Sequence, residues 1–165
     1  GDRAAQKALY DRLAPRMFPL CIRYVSDRNL AEDVLQDGFV TLFTRLQDYK
    51  GDGSFEGWAR RIFVTTALMN LRKKDALKMS DDLEAARGIR TDAPSQLQNL
   101  GYKDLMAMIT ELPPGFRTVF NMYAIEGYSH KAIGEALGIS ETTSRTQLSR
   151  ARQWLQNKIK EKENV

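Results

Sequence analysis

Within the stretch SETTSRTQLSRAR the chain gathers Ser140, Thr142, Thr143, Arg145, Thr146, Gln147, Ser149, Arg150 and Arg152. These types can read a nucleic acid: short hydroxyls reach phosphates or base edges, Arg pairs bidentately with guanine, and Gln with adenine. Their setting sharpens the point. Ser and Thr are indifferent helix formers, through β-branching and side-chain competition for the backbone. Yet Leu148, Ala151, Leu155 and Ile159 recur at helical spacing, so the stretch reads as one helix. Such residues in its first two turns suit a ligand better than they suit stability. A second group lies in SFEGWARRIFVTTALMNLRKK, where Trp58 is interleaved with Arg60, Arg61, Arg72 and Lys73, and with the small polar Thr65 and Asn70. An aromatic among cations can stack and neutralise a single strand. A buried Trp beside a solvated basic face accounts for the same residues equally well.

Metal and nucleophile chemistry are disfavoured. One Cys (Cys21) and one His (His130) form no disulfide framework, zinc cluster or Cys/His pair within one chain. Cys21 reads as a small buried hydrophobe and His130 as a surface contact.

The positioning elements are helices. Strict alternation is absent, and helical periodicity is nearly continuous. Ala5, Leu9 and Leu13 form a stripe that Pro15 is expected to interrupt, with a second helix to Tyr24 kinked or started late by Pro19. Asn29, with Glu32 three residues on, reads as the cap of a helix whose apolar face runs from Val34 to Leu46. Its start carries Glu32, Asp33, Gln36 and Asp37, acids and amides that the helix dipole favours without any function. Tyr49–Ser54 (YKGDGS) reads as a loop, and Phe55–Lys74 as a helix with Ile62, Leu68 and Leu71 inward. Periodicity then fades to about Gly101, and four short helices follow: Tyr102–Glu111, Pro114–Glu126, Ser129–Leu137 and Ser140 to about Lys160. Ser129 and Ser140 are cap residues. Gly138 supplies a left-handed turn and Ile139 its apolar contact, while Gly134 permits close approach, which is the grammar of a helix-turn-helix. The first turns of its second helix would enter the major groove.

The 165 residues can bury a real core, as one domain or two small ones, and the charge of +4 is uneven. Residues 1–74 carry +4, residues 75–101 carry −2 and residues 102–165 carry +2. Two basic lobes about an acidic middle hint at a polyanion. No run approaches the ~18 apolar residues of a membrane span, and Gly1–Tyr10 is unlike a signal peptide, so a cytoplasmic protein is expected.

The motifs AEDVLQDGFVTLF, GSFEGWARRIFVTTALMNLRKK, LPPGFRTVFNMYAIEGYSHKAIGEALGIS and TSRTQLSRAR, in this order and spacing, resemble the group IV sigma factors of the extracytoplasmic-function type. The resemblance spans nearly the whole chain. It implies an all-α fold of two small helical domains joined by a flexible linker. Residues 1–74 would bind core polymerase and recognise and melt the −10 element, residues 75–101 would link, and residues 102–165 would read the −35 element. Core-polymerase contacts are expected from Glu32, Asp33, Gln36, Asp37 and Phe39. For the −10 strand it implies Tyr49, Lys50, Gly51, Asp52, Gly53, Ser54, Trp58, Arg60, Arg61, Thr65, Asn70, Arg72 and Lys73, the loop capturing one flipped base. For the −35 duplex it implies His130, Lys131, Ser140, Thr142, Thr143, Arg145, Thr146, Gln147, Ser149, Arg150 and Arg152. Ser144 stands where many members have an aliphatic and Gly134 where they have Ala, from which looser packing is expected. The implied partners are core RNA polymerase, through its β and β′ subunits, promoter DNA, and an anti-sigma factor of the kind often held at the membrane. No catalysis, metal, cofactor or small-molecule substrate is implied. The rival readings are a stand-alone helix-turn-helix regulator with an N-terminal sensing or dimerisation domain, and a helical adaptor that binds only proteins.

Overall fold

The computed structural model describes residues 2–73 and 101–165, all helix, turn and loop with no strand among them. The chain divides into two compact units, Gly1–Asp75 and Ala76–Val165. The linker expected over 75–101 lies, apart from Gly101, outside the described residues.

The N-terminal unit is three mutually packed helices: α1 (Arg3–Val25), α2 (Arg28–Thr44) and α3 (Phe55–Lys73). The expected break at Pro15 does not occur, for α1 runs unbroken through Pro15 and Pro19. Both prolines lie on the exposed side, four residues apart, so water can take the carbonyls they leave without an N–H partner. On the other side Leu13, Met17, Leu20, Cys21 and Tyr24 are buried, and their packing outweighs the lost bonds. Burial pushes the Cys21 thiol up to about 12, so it behaves as an inert core group. The cap of α2 is Asp27 rather than Asn29; its carboxylate accepts from Leu30 N at 2.8 Å. A short 3-10 turn, Leu46–Asp48, ends the helical path, and Leu46 is exposed instead of closing the apolar face. Gly38 brings α2 against α3: a Cβ there would come within 2.4 Å of the Phe63 ring.

The C-terminal unit comprises α4 (Tyr102–Glu111), α5 (Pro114–Phe120), a π-helical turn (Asn121–Ile125), α6 (His130–Leu137) and α7 (Glu141–Glu163). The helix expected over Pro114–Glu126 is present, but it changes to π-helical geometry over Asn121–Ile125. Buried Arg117 donates to the carbonyls of Thr110 and Leu112, at 3.2 Å each, satisfying the orphan acceptors at the end of α4. Its role is structural.

Candidate nucleic-acid interfaces

The helix-turn-helix forms by local rules. Ser129 Oγ accepts from Ala132 N at 3.1 Å, and Ser140 Oγ from Thr143 N at 3.0 Å, so each serine caps its helix. Gly138 ends α6 at φ +69°, and Ile139 N donates to Gly134 O at 3.0 Å. A Cβ on Gly134 would lie 2.6 Å from the Ile139 carbonyl oxygen, so only glycine lets the turn fold back this closely. Packing here is therefore tight rather than loose.

Helix α7 divides its side chains cleanly. Ser144, Gln147, Leu148, Ala151, Leu155 and Ile159 are buried. Thr142, Arg145, Thr146, Ser149 and Arg152 are exposed, with Thr143 and Arg150 half-buried and Lys131 exposed on α6. Gln147 is the exception to the expected reading face: it is 4% exposed, because it falls one position before Leu148 on the packed side. It cannot present its amide to a base edge from there. Two hydroxyls are committed locally, Ser140 donating to Thr143 Oγ1 at 2.9 Å and Thr146 to the Thr142 carbonyl at 3.0 Å. Arg145 pairs with Glu141 at 3.2 Å, an exposed i,i+4 pair that a phosphate could displace. His130 stacks on Tyr123 and meets buried Ser144; neither partner was among the expected site residues, since the sequence gives no signal for contacts seven and fourteen residues away.

In the N-terminal unit, loop Tyr49–Ser54 has Gly51 at φ +84° and Gly53 at φ +77°, backbone that L side chains rarely adopt. Tyr49 Oη donates to the Gly53 carbonyl at 2.7 Å and closes the loop. Its ring joins Phe55 and Trp58, with centroids 5.3–5.6 Å apart, in an aromatic base beneath the turn. Phe55 was not expected there. Ser54 Oγ accepts from Gly57 N at 3.0 Å and starts α3, leaving its hydroxyl hydrogen to give, while Lys50 and Asp52 stand exposed. An ion pair between Arg16 and Glu56 ties the start of α3 to α1.

Beside this loop a cleft of about 380 Å³ runs between α2 and α3. Of the expected −10 residues it brings together Trp58, Arg61 and Thr65, and it adds Thr41, Arg45 and Met69. Arg60 and Asn70 do not line it, being half-buried elsewhere on α3, whereas Arg72 and Lys73 are exposed at the helix end. Arg45 was legible as a cation but not as a neighbour of α3, because only the packing of α2 on α3 places it there. It also pairs with Asp48 at 3.0 Å.

Glu32, Asp33, Gln36 and Asp37 are exposed together on the first turns of α2, and Arg28 approaches Glu32 at 3.7 Å. Phe39 lies at the floor of a groove that Glu32 and Gln36 also line. It is 4% exposed and packs against Tyr10, Phe43 and Phe63 at 4.5, 5.9 and 5.1 Å, inside the three-helix core.

Two family models match the chain in order: Sigma-70 region 2 over residues 9–77 and Sigma-70, region 4 over residues 102–155. The ECF RNA polymerase sigma factor SigE of Mycolicibacterium smegmatis is 33% identical over 166 residues, which cover 95% of this chain but only 63% of that relative. The ECF RNA polymerase sigma-E factor of Haemophilus influenzae is 27% identical over 170 residues, covering 96% and 89%. Among solved structures, the fold is like that of the sigma factor RpoE of Bartonella quintana in complex with the anti-sigma factor NepR. That match has a TM-score of 0.57, with 20% identity and 93% and 96% of the two chains covered. CnrH in complex with the cytosolic domain of CnrY is similar at TM-score 0.51, with 23% identity and 97% and 90% covered. With both regions present in order, each on its own folded unit, the chain belongs to the sigma-70 family as an extracytoplasmic-function sigma factor.

Proposed function

We propose that this chain binds core RNA polymerase and directs it to promoters, the N-terminal unit taking the −10 strand and the C-terminal unit the −35 duplex. The observation that carries the reading is the exposed hydroxyl and arginine face of α7, mounted on a capped helix-turn-helix. Thr142, Arg145, Ser149, Arg150 and Arg152 serve the −35 duplex from it. In the N-terminal unit, the glycine loop over its aromatic base suits one extruded base, and the Trp58, Arg61 and Thr65 cleft suits the adjoining strand. Glu32, Asp33, Gln36 and Asp37 offer an acidic docking surface for a basic patch on the β′ subunit. Polymerase supplies the chemistry; this chain contributes no catalytic group and needs no cofactor. The complexes of its structural neighbours with NepR and CnrY support an anti-sigma partner. Among the described residues no helix is long and apolar enough to cross a membrane, which agrees with work in the cytoplasm.

Run-off transcription with core polymerase on genomic fragments tests the proposal. Discrete starts that require both proteins are expected. Specific binding of a palindromic site by this chain alone would favour a stand-alone regulator, and the region 2 match in the N-terminal unit already speaks against a sensing domain there.

A further inference from the structure

One arrangement in the C-terminal unit lies off the groove face. Ser144, adjacent to Arg145 in α7, is fully buried. Its Oγ is 2.8 Å from Nδ1 of His130, the first residue of α6. The imidazole also lies flat against Tyr123, with ring centroids 4.3 Å apart and planes 14° from parallel. Tyr123 belongs to the π-helical turn, a rare geometry that recurs at functional positions. Three separate segments therefore meet at one ring. The stack fixes the plane of the ring and the hydrogen bond fixes its rotation, while a buried hydroxyl left unbonded would be costly. The bond holds in either protonation state, since Ser144 can donate to a bare Nδ1 or accept from a protonated one.

We propose that His130 is a positioning residue of the −35 reader, holding through Ser144 the first turns of α7 at the angle that aims Arg145 at the duplex. This rests on the −35 reading above. It differs from a direct DNA contact by His130, because the effect must pass through Ser144, which no DNA can touch.

The test uses holoenzyme assembled from the 165-residue chain and core polymerase. Competition binding compares promoter fragments whose −35 element is intact or scrambled, with Arg145→Ala as the reference. We expect His130→Ala and Ser144→Ala each to lower discrimination about fivefold, the worth of one hydrogen bond. The double variant should be no worse than either alone. His130→Asn, which keeps an amide group where Nδ1 stood, should restore most of the discrimination. If His130→Ala does not fold, Ser144→Ala and His130→Asn carry the test. Loss of discrimination in Arg145→Ala with none in Ser144→Ala would overturn the inference. So would a His130→Ala that weakens both fragments alike and lowers the salt slope, the mark of a phosphate contact. Should Arg145→Ala leave affinity, salt slope and discrimination all unchanged, Arg145 is no part of the −35 reader and the inference falls with that reading.

Discussion

His130 shows how one residue can link packing to pH. Burial first, then the nearby charges of Arg145 and Arg152, hold its ring below the ordinary 6.5, with Glu141 pulling weakly the other way. Tyr123 is the remaining titratable group packed on it. The unfolded chain therefore binds the proton more readily than the folded one. The resulting stability is present above 6.5 and is lost as pH falls through and below that value. Denaturant unfolding of the C-terminal unit, followed by Trp154 in a Trp58→Phe background, should show this acid loss, and His130→Gln should flatten it. Identical pH profiles for the two proteins would show that the ring does not titrate differently on folding. The arginines are tested separately. If Arg145 or Arg150 meets a phosphate, alanine there weakens binding across all sequences and lowers the salt slope by about one. If either meets a base, the cost is roughly 1–3 kcal/mol and confined to one position. No change in affinity, slope or preference in either variant would remove α7 as the reader.

At the scale of elements, two glycines set helix approach for different reasons, and substitution separates them. Gly38 faces the Phe63 ring, and Gly134 faces the main-chain oxygen of Ile139. Gly38→Ala should destabilise the N-terminal unit by about 1–3 kcal/mol, as overpacking does. Phe63→Leu in the same chain should recover part of the loss, since the obstacle is a side chain. Gly134→Ala should cost a similar amount in the C-terminal unit with no side-chain rescue, because a carbonyl cannot be trimmed. Thermal unfolding of the four proteins decides it, and full tolerance of alanine at Gly134 would mean that the turn can open without loss. Helix α1 carries the complementary lesson: prolines that ought to end a helix are harmless where their orphaned carbonyls face water and the opposite stripe is buried.

For the whole molecule, the two units imply separable functions. Reversing Asp33 and Asp37 to Lys places like charge against the basic surface expected on polymerase, and should weaken core binding by roughly 2 kcal/mol or more. Both side chains are exposed, so helicity should be unchanged. Unaltered core affinity in the folded double variant would reject that docking face. Replacing Lys50–Ser54 with the loop of another family member should transfer preference at one −10 position and leave the −35 preference intact. Selection from a promoter library randomised at −10 reads this directly, and identical preferred bases would make the loop a plain connector.

Local chemistry was legible without the fold. Ser129, Gly138 and Ser140 announce the helix-turn-helix because caps and left-handed turns depend on a few neighbouring residues. The glycines of the Tyr49–Ser54 loop do so for the same reason. Periodicity alone also marked Ile62, Leu68 and Leu71 as core, and all three are buried. Where several residues compete for a role, tertiary contacts chose between them. Asp27 caps α2 in place of Asn29, Gln147 turns inward, and Phe39 packs among the core aromatics at the floor of a groove. Arg45 joins Trp58 across α2 and α3, and Ser144 meets His130 across α6 and α7. Those pairings depend on how helix faces rotate against one another, and that rotation is set by the burial of the whole stripe rather than by any residue in it.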